Sequence, residues 1–145
     1  MTERYVLIFE GIGGVGKSTA LKELIEETNK YLCFDRGPVS QYVYARTRDR
    51  EWTLDDTNRM LDIDHLLKDV AVYVYLKASR EEINDRRKED KEYVKYGDFY
   101  DIRKAYEYYF NLTPLPVLRV DTTRLNPTQT VEKILSEVER CTDEE

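Results

Sequence analysis

Apolar residues along this chain follow two rhythms. Tyr5-Val6-Leu7-Ile8-Phe9 is an uninterrupted apolar run, and residues 4–10 read as the first, central strand. Tyr31-Leu32-Cys33-Phe34, Val70–Leu76 and Val117–Val120 read as further strands, and Val70–Leu76 is almost continuously apolar, as expected for a strand covered on both faces. Between them the spacing changes to that of helices. Leu21, Leu24 and Ile25, with Thr28 one turn on, predict a helix over 17–29. Further helices are expected over about 39–49 and 53–68; Thr53 with Asp56 is a near-match to a capping box, and Trp52, Leu54, Met60, Leu61, Ile63 and Leu67 supply apolar positions. Ala78-Ser79 opens a charged segment, and residues 100–111 predict a tyrosine-rich helix. Asn126-Pro127-Thr128-Gln129 starts the last helix with an N-cap, a first-turn proline and a glutamine, and Val131, Ile134, Leu135 and Val138 form its stripe.

This alternation predicts an α/β architecture: one domain over residues 1–145, with a parallel sheet of about four strands between helices. Tyr5–Glu10 is expected at the centre, flanked on one side by Tyr31–Phe34 and on the other by Val70–Leu76 and then Val117–Val120. Gly37-Pro38 breaks the chain after the second strand, and the link from first helix to second strand is unusually short.

The chain has 145 residues and a formal net charge of −6, which argues weakly against a large polyanionic partner. Cys33 and Cys141 form no disulfide framework and read as reduced thiols of an intracellular, cytoplasmic protein. No apolar run reaches membrane-spanning length, and the amino terminus leads directly into the first strand with no signal peptide. Twelve tyrosines are many for this length; those within Tyr93–Tyr109 read as half-buried helix faces or as a stacking surface.

Candidate chemistry begins at residues 10–19, Glu-Gly-Ile-Gly-Gly-Val-Gly-Lys-Ser-Thr, where Gly11, Gly16, Lys17 and Ser18 stand at the G-x-x-x-x-G-K-S spacing of a phosphate loop. Glycines let backbone N–H groups wrap an anion, and the following helix aims its positive end at the same point. Lys17 can reach β- and γ-phosphates, and Ser18 can offer a hydroxyl to Mg²⁺. Asp35 closes an apolar strand, so it falls at the sheet edge where ligands bind in open α/β folds. There it could hold Mg²⁺ through water or accept a proton from a hydroxyl acceptor. Arg36 could grip an acceptor phosphate with its planar fork. Arg46, Arg48 and Arg50 read as a solvated surface, or, with Arg46 and Arg50 four residues apart, as a phosphate contact. His65 has no triad or metal partner in the sequence and reads as structural.

Phe9-Glu10-Gly11 leading into Gly16-Lys17-Ser18-Thr19 resembles the opening of the thymidylate kinase and deoxynucleoside kinase group of P-loop kinases. Asp35-Arg36-Gly37-Pro38-Val39-Ser40, followed by Tyr42 and Tyr44, resembles that group's second signature. Leu66–Asp69 resembles the segment entering its next strand, and Ser79–Asp90 its lid. The resemblance implies a three-layer P-loop NTPase fold with a lid at about 79–95. It implies that Gly11, Gly13, Gly14, Val15, Gly16, Lys17, Ser18 and Thr19 bind the phosphates of ATP, with Ser18 and Asp35 serving Mg²⁺. Arg86 would be the lid arginine, stacking on adenine or bridging donor and acceptor, and residues near Thr122–Leu125 would line the adenine pocket. Arg36, Ser40, Tyr44 and Arg46 fall on the acceptor side.

Two departures qualify the likeness. The group places a further strand and acceptor-site helices before its Asp-Arg strand; here that interval is nearly absent, so the acceptor pocket is either rebuilt from residues 37–68 or open. The group's lid carries two arginines one turn apart; here Arg86 and Arg87 are adjacent, with Asp90 one turn on and Lys88 or Lys91 as stand-ins. The expected activity is ATP-dependent phosphoryl transfer to a nucleoside monophosphate, with Lys17, Asp35, Arg36 and Arg86 carrying the chemistry. One alternative is a kinase of a hydroxyl, on a deoxynucleoside or a 5′-hydroxyl polynucleotide end, with Asp35 as general base. The other is a P-loop module that binds nucleotide without transferring it. Oligomeric state is left open by the sequence.

Overall fold

The computed structural model describes residues 3–12, 15–47, 51–86 and 96–143. Strand β1 (Val6–Glu10) is buried along its whole length, and it is followed by α1 (Lys17–Glu27) and β2 (Leu32–Asp35). Two helices, α2 (Pro38–Thr47) and α3 (Leu54–Leu67), lead to β3 (Ala71–Lys77). The short α4 (Arg80–Arg86) and the long α5 (Tyr96–Phe110) precede β4 (Val117–Asp121) and α6 (Pro127–Asp143). The four strands are parallel in the order β2-β1-β3-β4, as the apolar runs predict. The chain leaves β1 for β2 on one side and returns to β3 on the other. The carboxyl edge of β1 is thus the topological switch point, where ligands bind in such sheets.

Local chemistry accounts for the ends of several elements. Pro38 opens α2 where a missing N–H costs nothing. The Thr53 hydroxyl accepts from the Asp56 N–H, and the Asp56 carboxylate accepts from the Thr53 N–H, a complete capping box. Asn126 and Gln129 exchange the same pair of bonds at the start of α6.

Three expectations change. Helix α5 begins at Tyr96, four residues ahead of the sequence-based start at 100. The buried face of α3 is Thr57, Met60 and Asp64; Leu54 and Ile63, expected as apolar anchors, face solvent. Tyr106 and Tyr109 are fully enclosed rather than half-buried, while Tyr100 and Tyr108 are exposed. The hydroxyls explain this. Tyr73, Tyr109 and Thr113 all donate to the buried Asp64 carboxylate, and burial foremost keeps both phenols protonated. This knot ties α3 to β3, α5 and the turn after α5.

At the other edge, β2 has no strand beyond it, and Leu32 and Phe34 are 54% and 47% exposed. The α2 helix leans on α5 and does not cover them. Among the described residues of 37–68, neither α2 nor α3 walls over β2, and Leu32 and Phe34 stay exposed. Cys33 and Cys141 are half-buried free thiols. No described helix is long and apolar enough to cross a membrane.

Candidate functional site

The glycine loop leaves β1 at its carboxyl end. Gly11 has φ +150° and packs so tightly on β3 that a Cβ would stand 2.6 Å from the Leu76 carbonyl oxygen. Gly16 caps α1 in the left-handed region with φ +89°. Gly11 has no room for a side chain, and at Gly16 the positive φ would strain one. Ile12 and Val15 are buried and moor the loop to the core, and the Thr122 hydroxyl donates to the Val15 carbonyl at 2.7 Å. Gly13 and Gly14 lie outside the described residues. Ser18 and Thr19 sit exposed on the first turn of α1, where free N–H groups face the same opening.

Parallel pairing of Phe9 with Asp35 brings the end of β2 beside the loop. The Lys17 ammonium, 8% exposed, stands 2.9 Å from Asp35 Oδ1, whose side chain is 46% exposed. The ion pair joins the glycine loop's end of α1 to the end of β2.

The turn after Asp35 is held to β1. Arg36 adopts φ +71°, the left-handed region that costs a non-glycine residue energy. Its N–H donates to the Phe9 carbonyl at 2.8 Å, and the next N–H, of Gly37, donates to Glu10 Oε1 at 2.6 Å. The Arg36 guanidinium donates to Ser40 Oγ at 3.2 Å and lies 5.7 Å from the centre of the Tyr44 ring. Glu10 is fully buried, and its Oε2 accepts from the Ser40 hydroxyl at 2.7 Å and the Tyr106 hydroxyl at 3.1 Å. Burial pushes the Glu10 carboxyl above its ordinary range; the bonds from Gly37, Ser40 and Tyr106 and the charge of Arg36 offset only part of that.

Arg36, Ser40 and Tyr44 thus come together on one side of α2. Arg46 does not join them, because positions 42 and 46 lie on the opposite helical face. Its guanidinium sits between the Tyr42 and Tyr108 rings, 5.8 and 5.5 Å from their centres. It borders a cavity of about 590 Å³ with Trp52, Thr57 and Leu61, and a smaller one with Asp101 and Lys104. Arg48 and Arg50 lie outside the described residues, as does the lid beyond Arg86. His65 is exposed on α3.

Arg86 ends α4 over the other flank of the loop. It donates to the Thr122 hydroxyl at 3.1 Å and the Thr122 carbonyl at 2.7 Å, and pairs with Glu82 at 3.0 Å. Its guanidinium lies 3.6 Å from where a Cβ on Gly16 would stand. Thr122 therefore joins the loop, the charged helix and the turn after β4. Among the described residues, no group of three or more His, Cys, Asp or Glu side chains could hold a metal ion unaided.

Sequence reasoning gave Glu10 and Tyr106 no role, although Glu10 belongs to the Phe9-Glu10-Gly11 stretch that opens the loop. The available signal was a carboxylate ending an otherwise apolar central strand.

No protein-family profile matches the sequence, and no curated protein matches it. Solved structures do share the fold. The Bacillus subtilis YorR protein, in complex with phosphorylated GDP, superposes with a TM-score of 0.74 at 22% identity, over 92% of this chain and 95% of that one. Thymidylate kinase from Candida albicans gives 0.68 at 13% identity, over 100% and 95%. Deoxyadenosine kinase from M. mycoides with bound dATP gives 0.62 at 16% identity, over 94% and 99%. The chain has the fold of P-loop nucleotide and nucleoside kinases.

Proposed function

We propose that the protein is an ATP-dependent phosphotransferase acting on a nucleoside or deoxynucleoside monophosphate. The observation that carries this reading is the clustering of Lys17, Asp35 and Arg36 at the carboxyl edge of β1 and β2, beside a glycine loop that has no room for a side chain at Gly11. A phosphoryl group in transfer needs cations on its oxygens and a fixed acceptor, and little else from the protein. Among proteins of the same fold, the Candida thymidylate kinase supports a monophosphate acceptor, whereas the M. mycoides deoxyadenosine kinase, seen with the products dCMP and dCDP, supports nucleotide chemistry more generally and also suits a hydroxyl acceptor.

ATP phosphates entering the loop would draw Lys17 away from Asp35. The freed Asp35 carboxylate and the Ser18 hydroxyl are hard oxygen donors. They suit Mg²⁺, which such sites bind through one or two carboxylates together with substrate phosphates, in keeping with the absence of a protein-only cluster among the described residues. Mg²⁺ bound there would neutralise charge on the transferring phosphate. Arg36 offers its fork to the acceptor phosphate. That phosphate is already ionised near neutral pH, so no general base is required.

A hydroxyl acceptor, including a 5′-hydroxyl polynucleotide end, is the second reading. The uncovered face at Leu32 and Phe34 favours it by leaving room for a longer substrate. Transfer from radiolabelled ATP, screened against nucleosides, monophosphates and 5′-hydroxyl oligonucleotides, separates the two. Labelling of monophosphates is expected. ATP binding with no labelled acceptor would instead favour a nucleotide-binding module without transfer. Lys17→Ala should keep the fold, since Lys17 meets the opening and not the core, yet lose roughly 10²–10³ in turnover. Near-normal transfer by that variant would end the assignment of the loop.

A further inference from the structure

We propose that the open edge of β2 is a self-association surface: two copies of the chain pair their β2 strands antiparallel about a two-fold axis at Cys33, joining two four-stranded sheets into one.

The backbone of β2 offers the seam. Leu32 donates its N–H to the Tyr5 carbonyl and Arg36 donates to the Phe9 carbonyl, so the ladder to β1 uses the alternate positions 32, 34 and 36. The N–H and C=O of Cys33 therefore point the other way, where the sheet has no further strand among the described residues. An edge of this kind is a template for another strand unless a proline, a bulge or a charge blunts it. The register of β2 on β1 is unbroken from Leu32 to Asp35, and Leu32-Cys33-Phe34 holds neither proline nor charge.

Apolar side chains flank the seam on both faces of the sheet. Leu32 and Phe34 pair with Val6 and Ile8 and share their face, and both are exposed because α2 leans on α5. The other face carries α1. Glu23 of that helix turns toward α6, where its carboxylate accepts from the Thr128 hydroxyl. Ile25 lies on roughly the opposite side of the helix, toward the β2 edge, and is also exposed.

Charge and pattern select a second copy as the occupant. Lys30 precedes the strand and Asp35 ends it, and both reach water. Antiparallel pairing sets the basic end of each strand beside the acidic end of the other. With the two Cys33 positions opposite each other, their outward N–H and C=O groups satisfy one another. Leu32 of each copy then stands across from Phe34 of the other, on one face. A slip of one residue would set Leu32 across from Cys33, whose side chain points to the opposite face. The seam is short, so the pair belongs with small, reversible interfaces.

The test follows the whole chain by sedimentation equilibrium from roughly 1 to 300 µM, the range suited to a weak interface. Wild type is expected near the single-chain mass of 17.3 kDa at the low end and near twice that mass at the high end. Amide hydrogen exchange, read by NMR, should slow at Cys33 as concentration rises, while Phe34, already bonded to β1, stays constant. Leu32→Lys/Phe34→Lys adds charge to side chains that already face water, and it should hold the single-chain mass throughout. Cys33→Pro removes the outward N–H and should do the same. If either variant fails to fold, the other decides. Wild type at 17.3 kDa over the whole range would overturn the proposal. So would a dimer that survives these substitutions, or one that forms without slowing exchange at Cys33, since either places the contact on another face.

Discussion

On the proposed function, Asp35 would exchange one partner for another as nucleotide arrives. It now holds Lys17 at 2.9 Å, and half of its side chain faces water. Lys17 is buried while Asp35 is half-exposed, so the pair keeps a buried ammonium partnered and two opposite charges adjacent. Asp35→Asn should therefore lower turnover, and it should also lower the melting temperature, because it leaves the buried Lys17 ammonium without a carboxylate. With a monophosphate acceptor, raising the Mg²⁺ concentration should restore part of the loss, because the carboxylate then matters through the cation. A loss on the order of 10²–10⁴ that Mg²⁺ never restores is the signature of a missing general base and would select the hydroxyl-acceptor reading. At this scale the sequence was informative wherever roles travel with spacing: Gly11, Gly16, Lys17 and Ser18 lie in one short motif. Glu10 was invisible for the opposite reason. Its donors come from residues 37, 40 and 106, and an acid ending an apolar run looks the same whether it turns inward or outward.

Among the elements, α3 shows where pattern and packing part. Its leucines and isoleucine suggest an apolar face, yet Leu54 is 76% exposed while Asp64 is 4% exposed. The floor beneath α3 is made of hydroxyls from Tyr73, Tyr109 and Thr113, so an acid fits where a leucine would leave three donors unsatisfied. Asp64→Ala should cost about 3 kcal/mol or more, each stranded hydroxyl adding about 1 kcal/mol. Leu54→Ser should stay within about 0.5 kcal/mol. Thermal melts of the two variants check both; a smaller cost for Asp64→Ala than for Leu54→Ser would restore the apolar-face reading. The strands and the helix caps were legible because they depend on neighbours in the chain. The polar floor was not, because tyrosines in β3 and α5 become donors only once the sheet places them under α3.

For the molecule as a whole, the strand order followed from apolar runs and right-handed crossovers. The state of the acceptor side did not. It turns on whether α2 leans over β2 or over α5, and no local signal in residues 38–47 decides between them. The short β1–α1–β2 passage has a further effect on how the protein comes into being. Lys17 reaches Asp35 across a single helix, and Glu10 meets Gly37 from 27 residues away, whereas Tyr106 reaches Glu10 only after a span of 96. Closing a longer loop costs more entropy, and contacts between distant segments form late. The phosphate loop shares that lateness, because Thr122 reaches the Val15 carbonyl across a span of 107; in refolding from denaturant, recovery of fluorescent ATP-analogue binding should therefore lag the recovery of helical circular dichroism, and recovery of binding ahead of it would overturn this order. The newly made chain would have no finished glycine loop until the turn after its last strand is in place.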